Sequence, residues 1–483
     1  MKSEASRRRV ERVPTGIPGL DRVLRGGLLR GGLYMVRGAP GSGKTILGNQ
    51  LCFASARRGG RAAFVTLLSE SHARMMVHLE CMSFFDPELV DARVRYVSGF
   101  GALDGGGLNG VLELLRHELR TKKHSILVID GLVSLGEPAT KATDLKRFFQ
   151  ELQLHADLAR CTVLLLTGPG ASAGHAANTM VDGVFELREE SFELRAFREL
   201  RVVKFRGSDH LRGGHFFRIT DEGIAVFPRI ESLYGQPTVR DASIDHKVST
   251  GVRGLDELLG GGLPAGTTTM VAGPSGSGKT TLGMHFVGAA PPDEKVVLCG
   301  FYETPPRYLF KAKKLGLDLE KRMKKGALEM LWQPSTEQNV DELVQNLLHR
   351  VVSTSASRVL IDGLDGLHRA TFHSERVHHI FTALANELRA QNVTTLYTYE
   401  VPKLIGPDLE APISGVSALV ENLLYLRFVE LDATLHRVLS ILKVRDVSYD
   451  PRLRSFQIGP NGIELTPLKP TRAGRKARPR SRR

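Results

Sequence analysis

The chain has 483 residues with 42% hydrophobic and 24% charged side chains, a composition that builds buried cores without disulfide staples. Its formal net charge is +14, but residues 1–12 and the tail 470–483 supply +10 of this, so the body is close to neutral and does not read as a uniformly basic nucleic-acid coat. The four cysteines form no C-x-x-C pair and no window reaches the ~18 to 20 apolar residues of a membrane span, which excludes zinc modules and spanning helices and leaves the expectation of a cytoplasmic protein with buried thiols.

In chain order, a basic start leads into the glycine-rich stretch TGIPGLDRVLRGGLLRGG and a short apolar strand, LYMVRG at 33–38. A helix, a second strand AAFVTL (62–67), a further helical stretch and the apolar strand SILVID (125–130) follow. After another helix comes CTVLLLTG (161–168), and residues up to about 227 alternate apolar and polar side chains between turn signals. The whole order then repeats. Displaced by 235 positions, residues 13–48 fall on 248–283 with no gap and 21 of 36 identities. Length alone suggests three domains; the repeat reduces them to two. The reading is a first domain over 1–240, a second over 241–468 and a basic, disordered tail over 469–483. Continuous apolar strands alternating with helices predict an α/β fold in each copy: a mostly parallel sheet flanked by helices, with an antiparallel extension at its edge.

The chemistry-bearing residues recur in both copies. GAPGSGKT (38–45) and GPSGSGKT (273–280) fit G-x-x-x-x-G-K-[ST] between a strand and a helix, the P-loop or Walker A motif. Gly38, Gly41, Ser42 and Gly43, like Gly273, Gly276, Ser277 and Gly278, turn backbone N–H groups toward phosphate oxygens, and the helix N-terminus adds partial positive charge. Lys44 and Lys279 are placed to reach β- and γ-phosphates, and Thr45 and Thr280 to ligate Mg²⁺. Asp130 and Asp362 end apolar strands, where a carboxylate holds metal-bound water or caps the next helix. Glu70 and Glu303 lie 26 and 24 residues beyond the P-loop lysines, past a strand end, as candidates to orient or deprotonate the attacking water. The cofactors implied are ATP and Mg²⁺.

Together with VTLLSES, GFYET, VIDGL, LIDGL and KFRGSDHLRGGHFFRITDEGIAVFP, these motifs resemble the KaiC family of tandem RecA-like ATPases, from about Val10 to Leu468. The resemblance implies two RecA-like P-loop NTPase domains, ATP hydrolysis, a double-ring homohexamer with nucleotide between neighbours, and a Ser/Thr autokinase in the second ring. It gives a role to KFR at 204–206: Lys204 and Arg206, two apart on the edge element, with His210 beyond the Gly207 turn, resemble trans-acting fingers aimed at a neighbour's nucleotide. Lys443 and Arg445 repeat the pair, while Asp446 and Tyr449 stand where the first copy has Gly207 and His210. Where the family's clock member has adjacent Ser-Thr phosphoacceptors, this chain has Ser417-Ala418, leaving Ser417 as a phosphosite; it also has a single glutamate, not a pair, at each catalytic strand end.

Three functions compete. The leading one is an ATP-hydrolysing homohexamer with a regulatory role, its signalling partner not named by any motif. The second is a RecA/RadA-like DNA-dependent ATPase, favoured by the basic termini and disfavoured by the near-neutral body and the absence of zinc or helix-turn-helix signatures. The third is a scaffold assembled by ATP without turnover.

Overall fold

The computed structural model describes residues 11–67, 72–131, 142–169, 179–192, 195–235, 246–334, 338–401, 420–431, 433–445, 447–460 and 462–468. The chain divides into two compact units, Met1–Leu233 and Tyr234–Arg483.

Besides a two-stranded ribbon (Arg12–Val13 with Leu28–Leu29), the first unit has a nine-stranded sheet: β1 (Leu33–Gly38), β2 (Ala62–Thr66), β3 (Val94–Ser98), β4 (Ile126–Asp130), β5 (Thr162–Thr167), β6 (Gly183–Phe192), β7 (Arg195–Phe205), β8 (Gly214–Thr220) and β9 (Gly223–Phe227). Their order across the sheet is β9-β8-β7-β6-β1-β5-β4-β2-β3. Pairings from β6 through β1 to β3 are parallel, and β6 to β9 form an antiparallel meander. The second unit repeats this with β10 (Thr268–Gly273), β11 (Val296–Gly300), β12 (Leu328–Trp332), β13 (Arg358–Asp362), β14 (Thr394–Glu400), β15 (Asn422–Leu431), β16 (Thr434–Lys443), β17 (Arg454–Gly459) and β18 (Gly462–Pro467). Their order, β18-β17-β16-β15-β10-β14-β13-β11-β12, is the same topology strand for strand. The expected α/β architecture with its antiparallel edge is therefore present in both copies.

Alternation along each central strand explains the layers. In β1 and β4, Tyr34, Val36, Ile126 and Val128 join one buried cluster with Leu47 and Leu51 of α1 (Lys44–Arg57). Their neighbours Leu33, Met35, Leu127 and Ile129 join a second cluster. That cluster also holds Leu112 and Leu115 of α3 (Phe100–Thr121), and Phe148 and Leu152 of α4 (Ala142–Leu158). A strand covered on both faces must be apolar at every position, which is why these segments read as unbroken hydrophobic runs. Each fully buried side chain contributes about 1.5–3 kcal/mol. Close packing of α1 on the sheet needs Gly48, because a Cβ there would lie 2.9 Å from Val128. In the second unit, Gly283 of α5 (Lys279–Gly288) stands in the same relation to Leu360, at 2.8 Å.

One expectation is corrected. Cys52, Cys161 and Cys299 are buried, but Cys81 is exposed, because it follows the helix α2 (His72–Leu79) on the outside of the unit. Among the described residues, no helix is long and apolar enough to cross a membrane.

Candidate nucleotide site

The parallel strands of each unit end on one edge, and the loop carrying the lysine rises from the central strand of that edge. Gly41 (φ +80°) and Gly43 (φ +97°) adopt left-handed backbone conformations, as do Gly276 (φ +73°) and Gly278 (φ +105°). L side chains rarely adopt these angles, so the motif's glycines are a backbone requirement. A Cβ on Gly41 or Gly276 would meet nothing within 4 Å, so the loop curves around open space in front of the helix N-terminus. Lys44 Nζ donates to the carbonyls of Gly38 and Ala39, both at 2.8 Å, and Lys279 Nζ to those of Gly273 (2.9 Å) and Pro274 (2.8 Å). Burial holds Lys44 below its ordinary pKa, opposed by the Asp130 carboxylate. The hydroxyls of Ser42 and Ser277 are buried without a hydrogen-bond partner among the described residues. Free loop space, a lysine at its rim and an orphan donor in both loops fit a polyphosphate.

Across the cleft, Thr45 Oγ1 donates to Asp130 Oδ2 at 3.0 Å, bridging 85 residues of sequence. Thr280 Oγ1 lies 3.1 Å from both oxygens of Asp362. The P-loop threonine and the strand-end aspartate are thus brought together twice, although only their separate motifs are visible in sequence. Asp362 is not a helix cap: the next helix, Asp365–Arg369, has Leu364 at its N-cap. A cleft of about 530 Å³ in the first unit runs from Gly41, Lys44, Thr45 and Asp130 to an apolar wall that includes Met75 and Leu79 of α2.

The second site contains partners that the motifs do not reveal. Asp362, 7% exposed, also accepts from Thr398 Oγ1 at 2.6 Å and from the Tyr308 hydroxyl. Burial raises its pKa, the hydroxyls of Thr398, Tyr308 and Thr280 oppose that shift, and the charge of Glu303 adds to it. By strand register, Thr398 faces Val271 as Leu166 faces Val36, so its hydroxyl replaces an apolar group of the first unit. Comparing the two copies position by position is the signal that exposes it. Glu303 is ion-paired with Lys311, its other oxygen enclosed without a hydrogen-bond partner among the described residues. Glu400, where the first unit has Gly168, stands 3.9 Å from Lys279 Nζ. Glu70, Ser417, Asp446 and the basic tail lie outside the described residues.

Of the cations predicted to act in trans, Lys204 and Arg206 are placed together. Lys204 Nζ donates to Val181 O (2.6 Å) and Thr179 O (3.3 Å), and Arg206 Nη2 to the same Thr179 carbonyl at 2.7 Å. Arg206 follows the last residue of β7, so strand period alone does not align the pair. A bulge does the aiming: the β6–β7 register shifts at Val184/Phe185, leaving Val203 outside the ladder and 47% exposed. The second unit repeats it, shifting at Leu423/Leu424 and passing over Leu442 just before Lys443. Lys443 Nζ donates to Val420 O at 2.9 Å, Arg445 is exposed, and His210 lies edge-on to Phe205 with ring centroids 6.3 Å apart.

Such a fold, with a P-loop beneath an acid-tipped strand in each of two units, defines a tandem P-loop nucleotide-binding protein. The family described as "ATPase: KaiC" matches residues 13–231 and 248–470, and the chain belongs to that family. It is similar to the circadian clock oscillator protein KaiC 1 of Synechocystis sp., with 23% identity over 478 residues covering 96% of this chain and 91% of the relative. It is likewise similar to the KaiC proteins of Rippkaea orientalis (23% over 475 residues; 95% and 90% covered) and Thermosynechococcus vestitus (23% over 477 residues; 96% and 90%).

Proposed function

We propose that the chain is a Mg²⁺-dependent ATPase with a regulatory role that works as a homohexameric ring, each nucleotide site being completed by cations of the neighbouring subunit. The P-loop amides with Lys44 and Lys279 bind the phosphates. Thr45 with Asp130, and Thr280 with Asp362, would hold Mg²⁺, which when bound neutralises charge on the phosphate oxygens. Glu70 and Glu303 orient and deprotonate the attacking water. In the second site, Glu303 must part from Lys311 before it can accept a proton.

The observation that carries the shared-site reading is the position of Lys204. It pairs with Val184 near the beginning of β6, whereas Gly38 of its own P-loop pairs with Leu187 farther along the same strand. The side chain turns away toward Thr179 and Val181, so Lys204 and its own loop belong to opposite ends of the sheet, separated by roughly 10 Å of strand plus the side chain's reach. A cation so placed serves a nucleotide held by another copy. Lys443, holding Val420, has the same relation to its own loop strand, where Ala272 pairs with Tyr425.

The test is complementation in a Lys279→Ala background, which leaves only first-site turnover. With Mg-ATP the chain should sediment as a hexamer. Arg206→Ala and Lys44→Ala should each lose about three orders of magnitude in turnover. Mixing the two should restore part of it, because some interfaces then pair an intact loop with an intact finger. A monomer with full turnover, or an Arg206→Ala protein as fast as its parent, rejects the shared site. Kinase activity of the second unit on Ser417 belongs to the same reading, with phosphopeptide mapping after incubation with ATP as its check and Ser417→Ala as control.

A further inference from the structure

We propose that the second unit carries a surface for single-stranded nucleic acid on the helical hairpin formed by α6 (Pro305–Lys314) and α7 (Leu319–Lys324), outside its nucleotide cleft. The near-neutral body conceals a local imbalance. The segment joining β11 to β12, residues 301–327, carries eight Lys or Arg against three acids, a net +5. The equivalent segment joining β2 to β3, residues 67–93, has the same length and carries two against five, a net −3. Both connect the same two strands of the same topology, so the fold does not require this charge.

The cations are displayed for an outside partner. Arg307, Lys313, Lys314, Lys321 and Lys325 are exposed, and their side chains make no hydrogen bond or ion pair among the described residues. Arg322 differs, since it donates to the carbonyls of Ala290, Pro291 and Glu294 and fastens the hairpin to the unit. On α6, Arg307, Phe310 and Lys314 recur at helical spacing on one face, with Phe310 60% exposed and Lys314 Nζ 4.5 Å from its ring centroid. The two helices pack on β12, whose last residue, Trp332, is 45% exposed.

Lys311 and Lys324 are ion-paired with Glu303 and Glu320, but exposed rings beside the five cations without an ion-pair partner among the described residues suit a chain with a phosphate at every step and a flat base beside it. Phosphates answer the ammonium and guanidinium groups, and unpaired bases answer the rings, since stacking needs a free base face that a duplex does not offer. An acidic protein segment would satisfy the charges and leave the rings without a matching partner.

The test is fluorescence anisotropy of labelled oligothymidylate with the full-length protein across a salt series. Phe310→Ala should weaken binding about tenfold. Lys313→Gln with Lys321→Gln should flatten the logarithmic salt slope by roughly 1.4, at about 0.7 for each phosphate that is no longer neutralised. All three side chains are exposed, so thermal unfolding of the variants should match the parent. Poly-glutamate and anionic phosphatidylserine vesicles serve as competing ligands, and deletion of residues 469–483 controls for the tail. The proposal is overturned if Phe310→Ala binds oligothymidylate like the parent, if tail deletion alone removes all binding, or if the variants lose poly-glutamate or vesicle binding and not the oligonucleotide.

Discussion

The two units share a topology, a P-loop and a threonine–aspartate pair, and differ in what surrounds the aspartate. In the first, the strand position matching Thr398 is Leu166, and the wall of the cleft includes Met75 and Leu79. In the second, Thr398 and Tyr308 bring two further hydroxyls to Asp362, Lys311 holds Glu303, and Glu400 faces Lys279. The fold therefore specifies where the carboxylate stands and leaves its surroundings free to diverge. A buried carboxylate needs donors, and the second copy brings three hydroxyls to Asp362 from within the unit.

The comparison is broken most directly at the lysines. Lys44→Ala and Lys279→Ala should each remove one of two nucleotides per chain, read as bound-nucleotide stoichiometry after desalting. If either variant lost both nucleotides, the sites would not be independent and the comparison between units would fail.

A smaller effect should separate the hydroxyl cage from its apolar counterpart. Tyr308→Phe withdraws a donor from a buried carboxylate and should destabilise the second unit by about 1.5–3 kcal/mol. Met75→Leu, a volume-conserving change on the wall of the first cleft, should cost less than about 1.5 kcal/mol. Chemical denaturation of the two variants measures both, and equal losses would show that the hydroxyl does no more than fill space.

The smallest effect is a pH slope. His285 on α5 occupies the position of Gln50, which exchanges hydrogen bonds with the Ile224 backbone at 2.8 and 3.1 Å. His285 is buried, with Nε2 unpartnered among the described residues, and burial holds its pKa below the ordinary value near 6.5. The unfolded chain therefore binds a proton that the folded one refuses. Stability is retained above about pH 6.5 and falls as pH drops below it. His285→Gln should flatten the decline of the second unit's melting temperature between about pH 7 and pH 5.5, whereas an unchanged slope would remove His285 as its source.

Much of this was legible beforehand. The repeat, the strands and the P-loops carry local signatures, because a strand covered on both faces must be apolar throughout and a phosphate loop must be glycine-rich. The exposed Cys81 was not legible, since burial of an isolated cysteine depends on which way its turn faces. KFR reads as a cationic pair, but a bulge sets where the pair points, and a bulge leaves no mark in a single strand's pattern. Charge summed over the whole body hides the basic hairpin, which stands out only against the equally long connection of the first unit.

By itself the sequence determined that there are two copies of one α/β unit, each with a glycine loop, a lysine and a strand-ending acid, because those features answer demands that neighbouring residues make on one another. Tertiary structure alone decided which hydroxyls reach Asp362, from residues 36, 54 and 82 positions away, and which end of the sheet Lys204 occupies. Those contacts arise when distant strands fall into register, and hydrogen bonding acts over about 3 Å of space whatever the separation along the chain.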